Sequence, residues 1–155
     1  MADTFDKTRS SDNEVVAFRV NGQDFCCDIM SVREIRGWSE TTILPHCEAF
    51  VKGVINLRGS VVPVIDLSAR LGLGTTEPGP RNVIIIVVVE DQTVGLLADV
   101  VSDIISILDD GLQPVPEMAA ASSGAFISGV LMLKDTMVRK LDLSSVLPQT
   151  RSVAA

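Results

Sequence analysis

Residues 53–71 read GVINLRGSVVPVIDLSARL, and residues 129–147 read GVLMLKDTMVRKLDLSSVL. Laid over one another at a shift of 76, eight of nineteen positions are identical: Gly53/Gly129, Val54/Val130, Leu57/Leu133, Val62/Val138, Asp66/Asp142, Leu67/Leu143, Ser68/Ser144 and Leu71/Leu147. Arg58 falls on Lys134, and its turn partner Gly59 on Asp135. Each stretch is a pair of apolar runs around a two-residue turn, the signature of a hairpin. Each then enters a D-L-S-x-x-L helix start, where Asp66 can cap the turn of LSARL that stops at Gly72. A second shift, of 69, carries Val32 onto Val101, Glu34 onto Asp103 and Ile35 onto Ile104. The difference between the shifts is absorbed in the Pro-, Ala-, Ser- and Gly-rich loop at 112–125. Valine-rich strands resemble one another by chance, but a shared helix start does not follow from that. The chain is predicted to hold two copies of one strand-rich unit.

The rest of the sequence fits around this repeat. VVAFRV, Asn21-Gly22 and a run around Phe25 form a hairpin, because a type I′ turn needs positive φ at both central residues. Ile29, Val32 and Ile35 recur at a spacing of three, which predicts a short helical turn burying one stripe. GTTEPGPRN, at 74–82, has the composition of a linker. VIIIVVV, at 83–89, is apolar at every position, so both faces of that strand should be buried. The chain has 21 Val and 12 Ile against 14 Leu and 11 Ala, a composition suited to pleated sheet. Four or five short strands per copy are too few for an open sheet, and closure into a small barrel removes unpaired edges. The predicted fold class is mainly β: two small barrels packed through a shared apolar interface, with Val83–Val89 serving its own barrel on one face and the seam on the other.

Length and charge exclude much. With 155 residues, 46% apolar and 21% charged, the chain can bury a sizeable core without staples. Its net charge of −7 offers no basic footprint for nucleic acid or for an anionic membrane surface. One Trp, five Phe and no Tyr also make a poor stacking platform for single strands. The seven-residue apolar run at 83–89 is far below the ~20 of a spanning helix. The first fourteen residues have no apolar signal region, so the sequence reads as cytoplasmic, with three reduced cysteines.

Reactive chemistry is sparse. His46 is the single histidine, and no cysteine pair has zinc spacing, so no metal or cofactor is expected. LGLG at 71–74 lacks the Lys-Ser/Thr of a phosphate loop and suits a helix stop. An enzyme alternative remains: a thiol activity using Cys26 or Cys27 with His46 as base. The blander account places Cys26 and Cys27 as small buried residues on alternate faces of a strand. Function then lies in surfaces. Arg58 sits at a hairpin tip where its guanidinium can reach a carboxylate, though a turn arginine can equally be solvated. Val32 and Ile35 form a small apolar stripe flanked by Arg33, Glu34 and Arg36.

VKGVINLRGSVVPVIDLSARLGL at 51–73, preceded by SVREIRGW at 31–38, resembles the bacterial chemotaxis coupling proteins of the CheW family. The likeness runs from about Val15 to Leu147. It implies two five-stranded SH3-like barrels and a non-catalytic adaptor in two-component signalling. The partners implied are the cytoplasmic tip of a chemoreceptor (a methyl-accepting chemotaxis protein) and the regulatory domain of the histidine kinase CheA. The implied receptor-binding residues are Val32, Glu34, Ile35, Gly53 and Arg58, with Val101 and Ile104 as second-barrel counterparts; kinase-contact residues stay unassigned. The implied organisation is a tail at 1–13, a CheW-like domain at 14–150 and a C-terminal tail at 151–155. Within the domain, the barrels divide at about residue 80, with room for strand exchange between them. Cys26-Cys27 and Trp38 are mild departures that leave the resemblance intact.

Overall fold

The computed structural model describes residues 14–45, 48–107, 111–114, 126–133 and 135–147. Eleven strands are defined there: β1 (Glu14–Val20), β2 (Gln23–Asp28), β3 (Val32–Gly37), β4 (Val51–Leu57), β5 (Ser60–Asp66), β6 (Val83–Val89), β7 (Gln92–Ala98), β8 (Val100–Ser106), β9 (Leu112–Gln113), β10 (Ile127–Leu133) and β11 (Thr136–Leu141). Two one-turn helices follow β5 and β11: α1 (Leu67–Arg70) and α2 (Leu143–Val146). The strands form a five-stranded sheet, β3-β6-β7-β5-β4, and a six-stranded sheet, β8-β1-β2-β11-β10-β9.

The duplication is visible strand by strand. β4, β5 and α1 shifted by 76 coincide with β10, β11 and α2. Leu57 pairs with Ser60 as Leu133 pairs with Thr136, and bulges fall at Gly53 and Gly129 alike. The Asp66 amide donates to Phe50 O at 2.8 Å, and the Asp142 amide to Phe126 O at the same distance. The Lys134 end of the second hairpin tip lies outside the described residues. The sixth strand has a counterpart as well, since Thr42 makes an isolated bridge to Val54 where Gln113 pairs with Val130.

Neither sheet is confined to one half of the chain. The β1–β2 hairpin lies against β8 and β11, while the β6–β7 hairpin lies between β3 and β5. The hairpins have changed places relative to a division at residue 80. Each joins its new sheet through one antiparallel ladder, β6 on β3 and β1 on β8, and one parallel ladder, β7 on β5 and β2 on β11. Two turns with positive φ close the swapped hairpins, Asn21-Gly22 at 52° and 78° and Glu90-Asp91 at 52° and 64°.

Val83–Val89 is buried on both faces, as its composition requires. Ile84 and Ile86 enter a core made only by the five-stranded sheet, with Ile55, Leu57, Val62, Val64 and Leu97. Ile85 and Val87 enter the seam between the sheets, beside Phe18, Phe25, Leu96 and Leu141. A third cluster, including Val15, Ala17, Ile105, Leu131 and Val138, fills the six-stranded sheet. Two interiors and one seam are therefore stabilised at about 25 cal/mol per Å² of apolar surface removed from water.

The expected helical turn at Ile29–Ile35 is corrected. Only Ile29–Ser31 is helical, a single 3-10 turn, and Val32 onward is strand. The spacing of three has another cause. A β-bulge between Val32 and Glu34 lets Val32 pair with Val87 and Ile35 with Ile85, two seam-facing residues only two apart. β8 repeats the device, with Val101 opposite Phe18 and Ile104 opposite Val16. The 74–82 segment, read as a linker, has no regular structure but is anchored. Asp66 caps α1 through Ala69 N at 3.4 Å and also accepts from Thr76 N at 2.8 Å.

Candidate functional site

Directly opposed residues on neighbouring strands share a face of the sheet. Val32, Ile35, Val101 and Ile104 therefore lie on the seam side of β3 and β8. These strands end their hydrogen-bonded runs in the two sheets, so the rows border the seam at its rim. Val32 and Val101 are half-buried against the seam core. Ile35 and Ile104 remain exposed, by 42% and 53%. Exposed Met30 and Val100, at the entries to the same strands, were missed by the sequence reading. The repeat gave no signal for them, since the shift of 69 pairs Ile35 with Ile104 but carries Met30 onto Asp99.

Glu34 faces the other way. It stands opposite Ile86, on the side of β3 that turns toward the interior of its own sheet. There it meets the β4–β5 hairpin tip, where Arg58 takes a left-handed φ of 52° and the Gly59 amide donates to Asn56 Oδ1 at 2.8 Å. Arg58 Nη2 donates to Glu34 Oε1 at 2.6 Å, and Arg36 Nη1 lies 3.5 Å from Glu34 Oε2. The hydrogen bond from Arg58, reinforced by the charges of Arg58 and Arg36, holds the Glu34 carboxyl below the usual carboxylate range. Both partners touch solvent, so this pair orients side chains more than it stabilises the fold. Arg58 keeps two-thirds of its side chain exposed. The sequence alone gave no sign that Arg58 and Glu34, 24 residues apart, are partners.

Gly53 is buried, unlike the others. Its φ is +148°, and a Cβ there would stand 2.5 Å from Thr42 O. Its position on the bulge lets Thr41 and Thr42 lie against β4. The structure thus joins Glu34 with Arg58 and sets Val32, Ile35, Val101 and Ile104 along the seam, while Gly53 is packed beneath Thr41 and Thr42.

Among the described residues the thiols Cys26 and Cys27 offer no nucleophile. Cys26 points into the six-stranded sheet's core and Cys27 into the seam, both fully buried. Burial pushes each pKa up to about 12, so the reactive thiolate is absent near neutrality. His46 and Cys47 lie outside the described residues. Among the described residues no His, Cys, Asp and Glu cluster could hold a metal, and no helix is long and apolar enough to cross a membrane.

Comparison with known proteins decides among surface functions. Residues 14–151 match the model of the CheW-like domain. The chain belongs to the CheW family. It is 49% identical over 142 residues to the chemotaxis protein CheW of Rhizobium meliloti, covering 92% of each chain. Against the chemotaxis protein CheW of Bacillus subtilis it is 31% identical, over 92% of this chain and 91% of the relative. The crystal structure of the scaffolding protein TtCheW from Thermoanaerobacter tengcongensis superposes with a TM-score of 0.82 at 30% identity, covering 89% of this chain and 94% of that one. The CheW domain described above accordingly has the two-barrel SH3-like architecture, and the chain is a non-catalytic chemotaxis adaptor. The thiol-enzyme alternative is set aside by this relationship and by the buried, protonated sulfurs.

Proposed function

We propose that this CheW-family chain couples the cytoplasmic tips of chemoreceptors to the regulatory domain of the histidine kinase CheA, working in the cytoplasm and recruited to membrane-associated receptor arrays. Residues 14–150 act as the adaptor unit, with 1–13 and 151–155 outside it. The receptor helix lies along the seam rim, on Val32, Ile35, Val101 and Ile104, with Arg58 and Glu34 at the edge and Gly53 holding the wall behind them.

One observation carries this reading. The bulges of β3 and β8 turn matched apolar rows toward the seam and leave Ile35 and Ile104 uncovered, where an amphipathic helix could bury an apolar stripe. Arg58, held by Glu34 on the other face of the edge strand β3 and two-thirds exposed, can serve a helix carboxylate or carbonyl while its stem covers apolar surface.

The test is titration calorimetry of the Arg58→Glu variant against a soluble receptor fragment and against the kinase regulatory domain. Loss of a charge-assisted contact of about 1.5–3 kcal/mol weakens receptor binding roughly ten- to a hundredfold. Kinase binding, the circular-dichroism spectrum and the thermal midpoint should be unchanged. The double variant Glu34→Arg/Arg58→Glu restores the intramolecular pair. If it also restores receptor binding, the pair acts by shaping the edge, and Arg58 makes no receptor contact of its own. Normal receptor binding by Arg58→Glu refutes the assignment.

A further inference from the structure

Arg70, at the end of α1, occupies an unusual place in the repeat. Shifted by 76 it falls on Val146, and the structure brings these two equivalent positions together: Arg70 Nε donates to Val146 O at 3.2 Å. Its Nη2 donates to Ser145 O at 3.0 Å and to Leu147 O at 3.4 Å. The guanidinium also lies over two rings, 4.2 Å from the centroid of Phe50 and 5.0 Å from that of Phe126. Phe50 and Phe126 are again repeat equivalents, each accepting the amide hydrogen bond of its own Asp-Leu-Ser helix start. A residue that touches its own repeat mate, and is flanked by a pair of mates, lies on the pseudo-twofold axis of the molecule.

The asymmetry has a physical reason. Two arginines at positions 70 and 146 would bring like charges together on that axis. One arginine and one buried valine instead give a single cation, held by three carbonyls and two ring faces. A planar guanidinium can do this, because its donors fan out in one plane while its two faces stay free to stack. Among the described residues no carboxylate forms an ion pair with it. Each hydrogen bond from Arg70 to these carbonyls spans 75–77 residues, from the first copy of the unit to the second.

We propose that Arg70 is the pin that fixes the angle between the two barrels, and that this angle sets the spacing of the apolar rows on β3 and β8. In the five-stranded sheet α1 follows β5, three strand intervals from β3. At about 4.8 Å per interval that is roughly 14 Å along the sheet. The same holds for α2, β11 and β8 in the other sheet. Phe50 and Phe126 at the pin and Val32 and Val101 in the rows pack against the one seam core, so a small rotation at Arg70 becomes a change in gap at the rim. The second half of the proposal rests on the receptor-groove reading above; the first half does not.

The two halves are separated by two measurements. Val61 and Met137 are exposed repeat equivalents, one in each sheet, suited to spin labels as Val61→Cys and Met137→Cys, with affinities measured on chains that keep Val61 and Met137. In a Cys47→Ser background only these thiols should label, since Cys26 and Cys27 are buried. Double electron–electron resonance on the full chain should give one narrow distance distribution, which Arg70→Leu broadens or shifts. Receptor-fragment affinity should fall about tenfold if the fraction of molecules with the correct gap falls to about a tenth, while binding of the kinase regulatory domain stays within about twofold. Arg70→Lys, which keeps stem and charge but not the planar fork, should lie between; it carries the test if Arg70→Leu does not fold. An unchanged distribution in the folded variants overturns the pin. A broadened distribution with undiminished receptor affinity leaves the pin standing and overturns its link to the groove.

Discussion

Replacing Gly53 by alanine separates a structural role from a binding role at this position. The residue is buried, sits on the β4 bulge and has φ of +148°. A conformation essentially reserved for glycine costs other residues about 1–3 kcal/mol. The added methyl would also meet Thr42 O at 2.5 Å and Thr42 C at 2.9 Å, both backbone atoms that cannot rotate away. Relief requires the segment to retreat and lose the two 2.9 Å bonds between Thr42 and Val54. Those bonds are worth about 0.5–1.5 kcal/mol each, net. The sum is about 2–6 kcal/mol, which at roughly 2–4 °C per kcal/mol lowers Tm by about 4–24 °C in a chain of this size. Thermal unfolding followed by circular dichroism reads this directly. Two controls sharpen it. Gly129→Ala meets Gln113 O at 2.8 Å without a left-handed φ, so its Tm should fall less than that of Gly53→Ala. Gly37→Ala has nothing within 4 Å of the new methyl and should leave Tm nearly unchanged. A Gly53→Ala Tm as close to native as that of Gly37→Ala refutes the close approach. It would return Gly53 to the surface role that the family resemblance implied.

Ile86→Ala and Ile85→Ala empty adjacent positions of β6 into different cores, and each should cost about 2–5 kcal/mol by urea unfolding. A negligible cost for Ile85→Ala alone would mean that the seam is loose. Cys26 and Cys27 should resist an alkylating reagent at pH 8 in the native chain and react once it is unfolded. Their raised pKa also gives a sign. The unfolded thiols ionise from about pH 9 while the folded ones hold their protons toward 12, so stability should fall as pH rises through that window. A Cys26→Ala/Cys27→Ala variant should show a flatter alkaline limb than the native chain. The lowered Glu34 carboxyl works in the opposite sense. Its contribution is present above the ordinary glutamate pKa and lost as pH falls, so Arg58 should separate from Glu34 in acid, seen as a shift of the Glu34 carboxyl resonance in NMR.

Much of this fold is legible in the sequence because the repeat and the apolar runs act locally. Seven apolar residues at 83–89 force burial on both faces whatever the neighbours are. Asn21-Gly22 specifies a turn by its own backbone preferences, and Asp66 caps α1 within three residues. The spacing of three at Ile29, Val32 and Ile35 was misleading because a bulge and a helix both place residues three apart on one side. Only pairing with β6 decides between them, and pairing is not local. The Arg58–Glu34 contact was hidden for the same reason, since the resemblance supplied both residues separately and the bend of the sheet brought them together.

The exchange of hairpins lies outside any local signal, and it explains how a small β protein can serve as an adaptor. Had β1–β2 stayed with β3–β5 and β6–β7 with β8–β11, each barrel could in principle separate from the other, joined by a single connection. With the hairpins exchanged, the chain crosses the seam repeatedly, so the seam core draws Phe18, Phe25 and Cys27 from one sheet and Ile65, Ile85 and Leu96 from the other. Parting the barrels would expose both sets at once. The apolar rows on β3 and β8 are held by this shared core at their inner ends, Val32 and Val101, and are free at their outer ends, Ile35 and Ile104. A partner binding there meets a rim whose two walls belong to different halves of the sequence but to one cooperative core. Polar substitution within the seam, such as Val87→Asp, should therefore lower stability and rim binding together, whereas Ile104→Asp should lower rim binding alone. Calorimetric titration beside thermal unfolding distinguishes the two, and loss of stability in Ile104→Asp comparable to that in Val87→Asp would refute the division of the rows into a held end and a free one.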